Sequence, residues 1–280
     1  MRRLLAFALF ASAAPVMAQA ASGTVRLGGA PVASAAVAAE APTPPADVYD
    51  VDAAPAYYVV GAGAALRELP EADAPVVAPL RTRDGVRVLD TVDAPGDAAA
   101  AGWRFVHTDR GRGYVRAADL SNVWIRVDKS ERMAYVYRGA ELLRELPVDV
   151  SQSDEDKVRR SRLGESEHYR IPEGTFFVTR LHDTSRYYRA FVLSYPNPVH
   201  ALRGLEAGII TEAQYAAIVR ADQEAVEPPM NTPLGGLIEL HGHGSGRQRA
   251  WTRGCVALRN VHMDELWEVV EVGTPVVIER

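Results

Sequence analysis

The sequence predicts a mainly β chain: a small β-barrel, then a β-rich domain with one or two packed helices. Three observations predict it. Short runs of alternating apolar and polar residues, closed by Gly, Pro and Asp turns, recur over residues 56–121. A new series of strands starts at residue 122. Only two later stretches combine a cap residue with helical apolar spacing. The 280 residues are 48% hydrophobic and 24% charged, a balance that excludes a fibrous or wholly disordered chain.

The first twenty residues read as an address. Arg2 and Arg3 precede the apolar stretch Leu4–Phe10, and small residues offer cleavage after Ala18 or Ala20. This is the pattern of a secretory signal peptide, too short and alanine-rich for a membrane span. Export to the periplasm is the expectation. Residues 21–55 follow as an Ala/Pro-rich linker without helical or strand period, including Pro42, Pro44, Pro45 and Pro55.

Residues 56–121 contain the short strands Tyr57–Val60, Ala65–Pro70, Val76–Leu80, Gly85–Leu89, Gly102–Val106 and Gly113–Val115, with turn chemistry at Asp93–Asp97. Strands so short and regular suit a small barrel, with Trp103 and Tyr114 in its core. The segment resembles a bacterial SH3-like (SH3b) domain. The resemblance rests on Leu66-Arg67 before Pro70, Asp84-Gly85, Gly102-Trp103 and Gly113-Tyr114-Val115-Arg116. It implies a module that binds cell-wall peptides or positions its neighbour.

Residues 122–280 open with strands at Val123–Val127 and Met133–Tyr137, and Arg138-Gly139 turns the second into Glu141–Val148. Residues 151–167 are charged and read as a loop. Strands follow at Thr175–Thr179 and Ala190–Ser194, the latter ending in Tyr195-Pro196-Asn197-Pro198. Thr211 and Gln214 form a capping box for one helix. Asn260 is the expected N-cap of a second, with Met263, Leu266, Trp267 and Val270 on its buried face and Gly273 at its end. Thr274–Ile278 is the final strand.

Formal net charge is −5, so no basic excess marks a nucleic-acid partner. Of 31 basic residues only Lys129 and Lys157 are lysines, a compositional habit rather than a function. Cys255 is the one cysteine, which excludes an intramolecular disulfide framework. Its neighbours give it meaning. A strand ends at His241, glycines follow, and Cys255 stands 14 positions on, after Gly254. A loop of that length can fold back. An imidazole beside a thiol takes its proton and stabilises the thiolate, which attacks a carbonyl. Gly254 permits a turn that aims the Gly254 and Cys255 amides at an oxyanion. Thr252, or a backbone carbonyl, would orient the imidazole.

The stretch resembles the YkuD-type L,D-transpeptidase catalytic domain. The matching elements are His241-Gly242 and Thr252-Arg253-Gly254-Cys255. Support comes from Pro172-Glu173-Gly174-Thr175-Phe176, Tyr195-Pro196-Asn197, Thr232-Pro233-Leu234-Gly235-Gly236 and Asn260-x-x-Met263-Asp264-Glu265-Leu266. The resemblance implies Cys255 as nucleophile and His241 as general base. It implies peptidoglycan stem peptides of the diaminopimelate type as donor, an acyl-enzyme, and a cross-link made by a neighbouring amine, with no cofactor. Many members carry arginine two residues after the cysteine, where this chain has Ala257. Cys255-Val-Ala-Leu-x-Asn260 is closer to the YafK-like branch, which includes hydrolases as well as cross-linking enzymes.

Other readings stay open. Arg253, Arg247 and Arg249 lie beside the nucleophile and could receive stem-peptide carboxylates, or form a solvated loop. Tyr195 and Asn197 line a donor groove or serve packing and a turn. His243 shapes the pocket or faces solvent. His241-x-His243 could also be a metal pair completed by Cys255 or His262, but no H-x-x-x-D accompanies it, and no metal is expected. A non-catalytic wall-binding protein is the remaining alternative. His107, His168, His182 and His200 have no partner that the sequence names.

Overall fold

The computed structural model describes residues 49–89, 102–160 and 169–280. The expected signal peptide, most of the linker, the Asp93–Asp97 turn and residues 161–167 of the charged loop lie outside the described residues, as does His168.

Seven strands build the first sheet: β1 (Ala56–Val59), β2 (Ala64–Arg67), β3 (Val76–Leu80), β4 (Gly85–Val88), β5 (Trp103–Thr108), β6 (Gly111–Arg116) and β7 (Leu120–Ser121). Their spatial order is β3-β2-β6-β5-β4-β1-β7. Val59, Leu66, Leu80, Val86, Val88, Val106 and Val115 form its core. On β6 the period of two gives the inward places to Gly113 and Val115. Gly113 is required there, because a Cβ would lie 2.5 Å from the Arg67 carbonyl oxygen. Tyr114 therefore stands between inward positions, half-buried against Phe105 at 5.0 Å between ring centres. This corrects the expectation that Tyr114 fills the barrel. Trp103 is buried beneath the Arg116 guanidinium.

The second sheet has the order β10-β9-β8-β19-β14-β15-β16-β18. Its strands are β8 (Val123–Asp128), β9 (Met133–Arg138), β10 (Glu141–Pro147), β14 (Gly174–Ser185), β15 (Tyr188–Leu193), β16 (Glu239–His241), β18 (Val256–Ala257) and β19 (Pro275–Glu279). The short pairs β11 (Val150–Ser151) with β17 (Ala250–Thr252), and β12 (Ser153–Asp156) with β13 (Arg170–Ile171), lie beside it. One face packs Ile125, Val136, Phe191, Leu193, Leu240 and Val256 with Met263 and Leu266. Burying each such side chain contributes about 1.5–3 kcal/mol.

Three helices accompany this sheet rather than one or two: α1 (Pro198–Glu206), α2 (Glu212–Gln223) and α3 (Asn260–Trp267). The unexpected one is α1. Asn197 caps it, accepting from the His200 amide at 3.0 Å, and Pro198 fills the first turn, where no amide hydrogen is needed. The capping box of α2 forms as expected: Thr211 and Gln214 bond reciprocally. At α3 the N-cap is Arg259, not Asn260, because the Asn260 side chain is taken by the His243 amide at 2.8 Å. That helix ends at Trp267. Gly273, at φ +100, instead shapes the turn into β19, where a Cβ would meet Thr82 at 2.9 Å.

Both sheets belong to one compact unit, Ala46–Arg280. The Tyr58 hydroxyl donates to the Val123 carbonyl, and the Gly61 amide to Val272 at 3.0 Å. Arg83 lies over the Phe177 ring at 4.1 Å and donates to Asp222 on α2 at 3.3 Å. Among the described residues no helix is long and apolar enough to cross a membrane.

Candidate active site

Two short parallel strands organise the site. On β16 and β18, Leu240 lies opposite Val256 and His241 opposite Ala257. Leu240 and Val256 enter the core. Strand alternation then turns Glu239 and His241 to the other face, with Ala257 and Cys255 beside them. With strands about 4.8 Å apart, Cys255 falls beside Glu239 and one diagonal step from His241. The neighbouring strands extend the row: Val192 and Ala190 oppose Glu239 and His241, and Arg180 and His182 oppose Val192 and Ala190. Arg180, His182, Glu239, His241 and Cys255 thus share one sheet face.

His241 is held on several sides. Its Nδ1 donates to the Gly242 carbonyl at 2.7 Å, which leaves Nε2 as the acceptor in the neutral ring. Tyr187 stacks on the ring at 4.4 Å, and Trp251 meets it edge-on at 6.1 Å. Burial lowers the His241 pKa below its ordinary value; the Gly242 carbonyl opposes this, and the charges of His243 and Arg186 add to it. The imidazole is therefore kept as a neutral base. Gly242 is obligatory, since a Cβ there would lie 2.6 Å from the Tyr187 carbonyl oxygen and 2.8 Å from Asn260 Oδ1.

Cys255 rests against Leu237. Leu237 adopts φ +55, uncommon for a bulky residue, and its carbonyl accepts the thiol at 3.5 Å. Cys255 is half-buried. Burial pushes the thiol up to about 12, with the Glu239 charge adding, and the Glu239 amide and Lys157 opposing. These shifts favour the neutral thiol and the neutral ring in the substrate-free protein, with the thiol hydrogen-bonded to Leu237. Gly254 takes φ +113, and a Cβ would meet the Arg170 carbonyl at 3.0 Å.

The remaining expected residues divide. Thr252 does not orient the imidazole; its hydroxyl donates to the Cys255 carbonyl at 2.6 Å, and the Gly242 carbonyl orients the ring instead. His243 and Arg253 are exposed on the loop, as are Arg247 and Arg249. Tyr195 is fully buried with its hydroxyl on the Leu234 carbonyl at 3.1 Å. Asn197 is spent on the α1 cap and on the Thr175 carbonyl at 3.0 Å. Of the two readings open for them, Tyr195 serves packing and Asn197 the chain turn into α1, and neither offers a polar group to a groove.

Sequence reading missed Glu239, His182, Tyr187, Trp251 and Asp149. Only Glu239 had a local signal, two residues before His241 on the same strand. Asp149 governs the loop between His241 and Cys255. Its buried carboxylate accepts the Ser245 amide and hydroxyl, the Arg249 amide and the Trp251 indole, at 2.7–2.9 Å. Burial pushes the Asp149 pKa up, but these hydrogen bonds outweigh it and hold the carboxyl below its ordinary value. A groove of about 710 Å³, lined by Gly61, Thr179, Arg180, Leu181, Glu227, Glu271 and Val272, runs beside this face, and Arg180 belongs to both.

The YkuD L,D-transpeptidase catalytic domain matches residues 122–278, and the chain belongs to that family. None of the curated protein sequences matches it. Among solved structures it is similar to Bd1075 of Bdellovibrio bacteriovorus: 23% identity, 57% of this chain and 48% of that one, TM-score 0.36. It is also similar to the helical cell shape determining protein Pgp2 of Campylobacter jejuni: 19% identity, 57% and 48%, TM-score 0.37. An L,D-transpeptidase of Mycobacterium smegmatis matches at 13% identity, over 64% and 67%, with TM-score 0.33. The matched region spans about half the length of the first two.

Proposed function

We propose that this chain is a cysteine acyltransferase acting on peptidoglycan stem peptides in the cell envelope. One observation supports the reading: His241 ends β16 and Cys255 directly precedes its paired neighbour β18, with Nε2 of His241 left as the acceptor. In the proposed reaction the Cys255 side chain leaves the Leu237 carbonyl and turns toward Nε2. The proton passes to His241, and the sulfur attacks the carbonyl of the L-to-D bond before the terminal D-alanine. The Gly254 and Cys255 amides receive the oxyanion. His241 returns its proton to the leaving amine, and a thioester remains on Cys255. An amine or water then takes the acyl group.

The first sheet is read as an SH3-like module attached to this catalytic domain, and the N-terminal leader as the export signal. Ala257, in place of the arginine of many members, supports a YafK-like assignment, in which hydrolysis competes with cross-linking. The deciding experiment incubates wild type and Cys255→Ala with tetrapeptide and pentapeptide muropeptides and reads the products by mass spectrometry. Dimers made by wild type alone support the transpeptidase. Shortened monomers alone support the hydrolase. Identical products from both proteins overturn the cysteine mechanism.

A further inference from the structure

The carboxylate beside the nucleophile has no assigned partner. Glu239 is half-buried, two residues before His241, and faces the same side as Cys255. Among the described residues its side chain makes no hydrogen bond or ion pair. Arg180, two strands along the same face, is turned to Glu227 at 3.1 Å. Burial raises the Glu239 pKa above its ordinary value, His182 and Arg180 oppose this, and Glu227 adds to it. The Glu239 oxygens are not sealed from solvent, so water serves them in the free protein and an arriving cation can displace it. The charge is also unhelpful to the resting enzyme, since it raises the thiol it faces. An unpaired carboxylate on the same face as Cys255 and open to solvent is placed to meet a cation that arrives with a ligand.

We propose that Glu239 receives the ammonium group of the amine that takes the acyl group from Cys255, and accepts its first proton. This rests on the acyltransferase reading above. Water carries no positive charge, so a carboxylate at this place favours an amine acceptor. The step balances. The carboxylate of Glu239 takes one proton from R–NH3+, giving R–NH2 and a neutral carboxyl. The amine nitrogen attacks the thioester carbonyl, a C–N bond forms, and the C–S bond breaks. The second nitrogen proton passes through His241 to the departing sulfur, restoring the Cys255 thiol, and Glu239 later releases its proton to solvent.

The test reads the fate of the acyl-enzyme. Wild type and Glu239→Gln are loaded with a tetrapeptide muropeptide, and the Cys255 adduct is followed by mass spectrometry. Acceptors are a diaminopimelyl tripeptide, whose amine is protonated at neutral pH, and hydroxylamine, which is not. In Glu239→Gln the aminolysis-to-hydrolysis ratio should fall by about tenfold or more for the tripeptide, the scale of one charge-assisted contact, and stay level for hydroxylamine. An unchanged tripeptide ratio overturns the inference and leaves the acyltransferase reading intact. An equal fall for both amines overturns it too, since that marks a general disturbance of the site. Absence of any Cys255 adduct on wild type overturns both.

Discussion

Asp149 and Ala257 exchange both of their backbone hydrogen bonds, at 2.8 and 2.9 Å, while the Asp149 carboxylate gathers the loop that joins His241 to Cys255. One residue thus fixes the strand that directly follows Cys255 and the loop leading to it. Asp149→Asn keeps the shape but puts an amide nitrogen where two donors arrive. It should cost about 2–4 kcal/mol, measured by denaturant unfolding, and lower kcat more than KM. An Asn variant of wild-type stability and turnover would remove Asp149 from this role.

The same carboxylate sets an acid limit on the fold. Its folded pKa lies below the ordinary 3.8, so between the two values the unfolded chain binds more protons. The stabilisation is complete above the ordinary value and disappears as pH falls through the lowered one. Unfolding midpoints of wild type and Asp149→Asn should therefore converge on acidification below pH 3.8. A gap that stays constant to the lowest pH contradicts this assignment.

His241 and Cys255 together predict the pH behaviour of the reaction. Burial depresses the imidazole, so the base form persists on the acid side of 6.5 and the acid limb of kcat/KM should have its midpoint below that value. The thiol, pushed up to about 12, should alkylate slowly in substrate-free enzyme at neutral pH. Cys255→Ala should abolish acyl transfer, His241→Ala should lower it by about 10²–10⁴, and His243→Ala should have little effect. Rapid labelling of the resting thiol by iodoacetamide would refute the neutral pair.

Gly242 has no room for a side chain. Gly242→Ala should destabilise the protein by about 3 kcal/mol or more, because the obstructing atoms are backbone oxygen and a committed amide side chain. Thermal melting is the check. Tyr187→Ala tests the stacked ring separately. It should lower kcat about tenfold with a small change in melting, while Tyr187→Phe should stay near wild type.

Much of this site is legible in one dimension, for a physical reason. His241 and Cys255 sit at strand ends flanked by glycines, and strand ends announce themselves through alternation and turn chemistry. Glu239, in contrast, reads as an ordinary outward strand residue until Cys255 is placed across from it. Asp149 and Tyr187 join the site only through long-range folding. The Asn197-Pro198 step fits a turn or a helix start equally well locally, and it is the His200 amide meeting Asn197 that makes it a helix start. Asn260 has the right chemistry for a cap, but His243 claims it first. Polar side chains with several suitable neighbours are decided by tertiary competition, which local spacing does not encode.

Arg83 has a consequence of its own. Its guanidinium is clasped by Phe177 and Asp222 while its backbone belongs to the first sheet. A bead on a string can swing; this module is bolted on. Cutting the chain near residue 122 would strip the cover from Phe177 and leave the Val123 and Val272 carbonyls without their Tyr58 and Gly61 donors. The first sheet is therefore part of the second sheet's covering, and removing it should lower the melting temperature of residues 122–280.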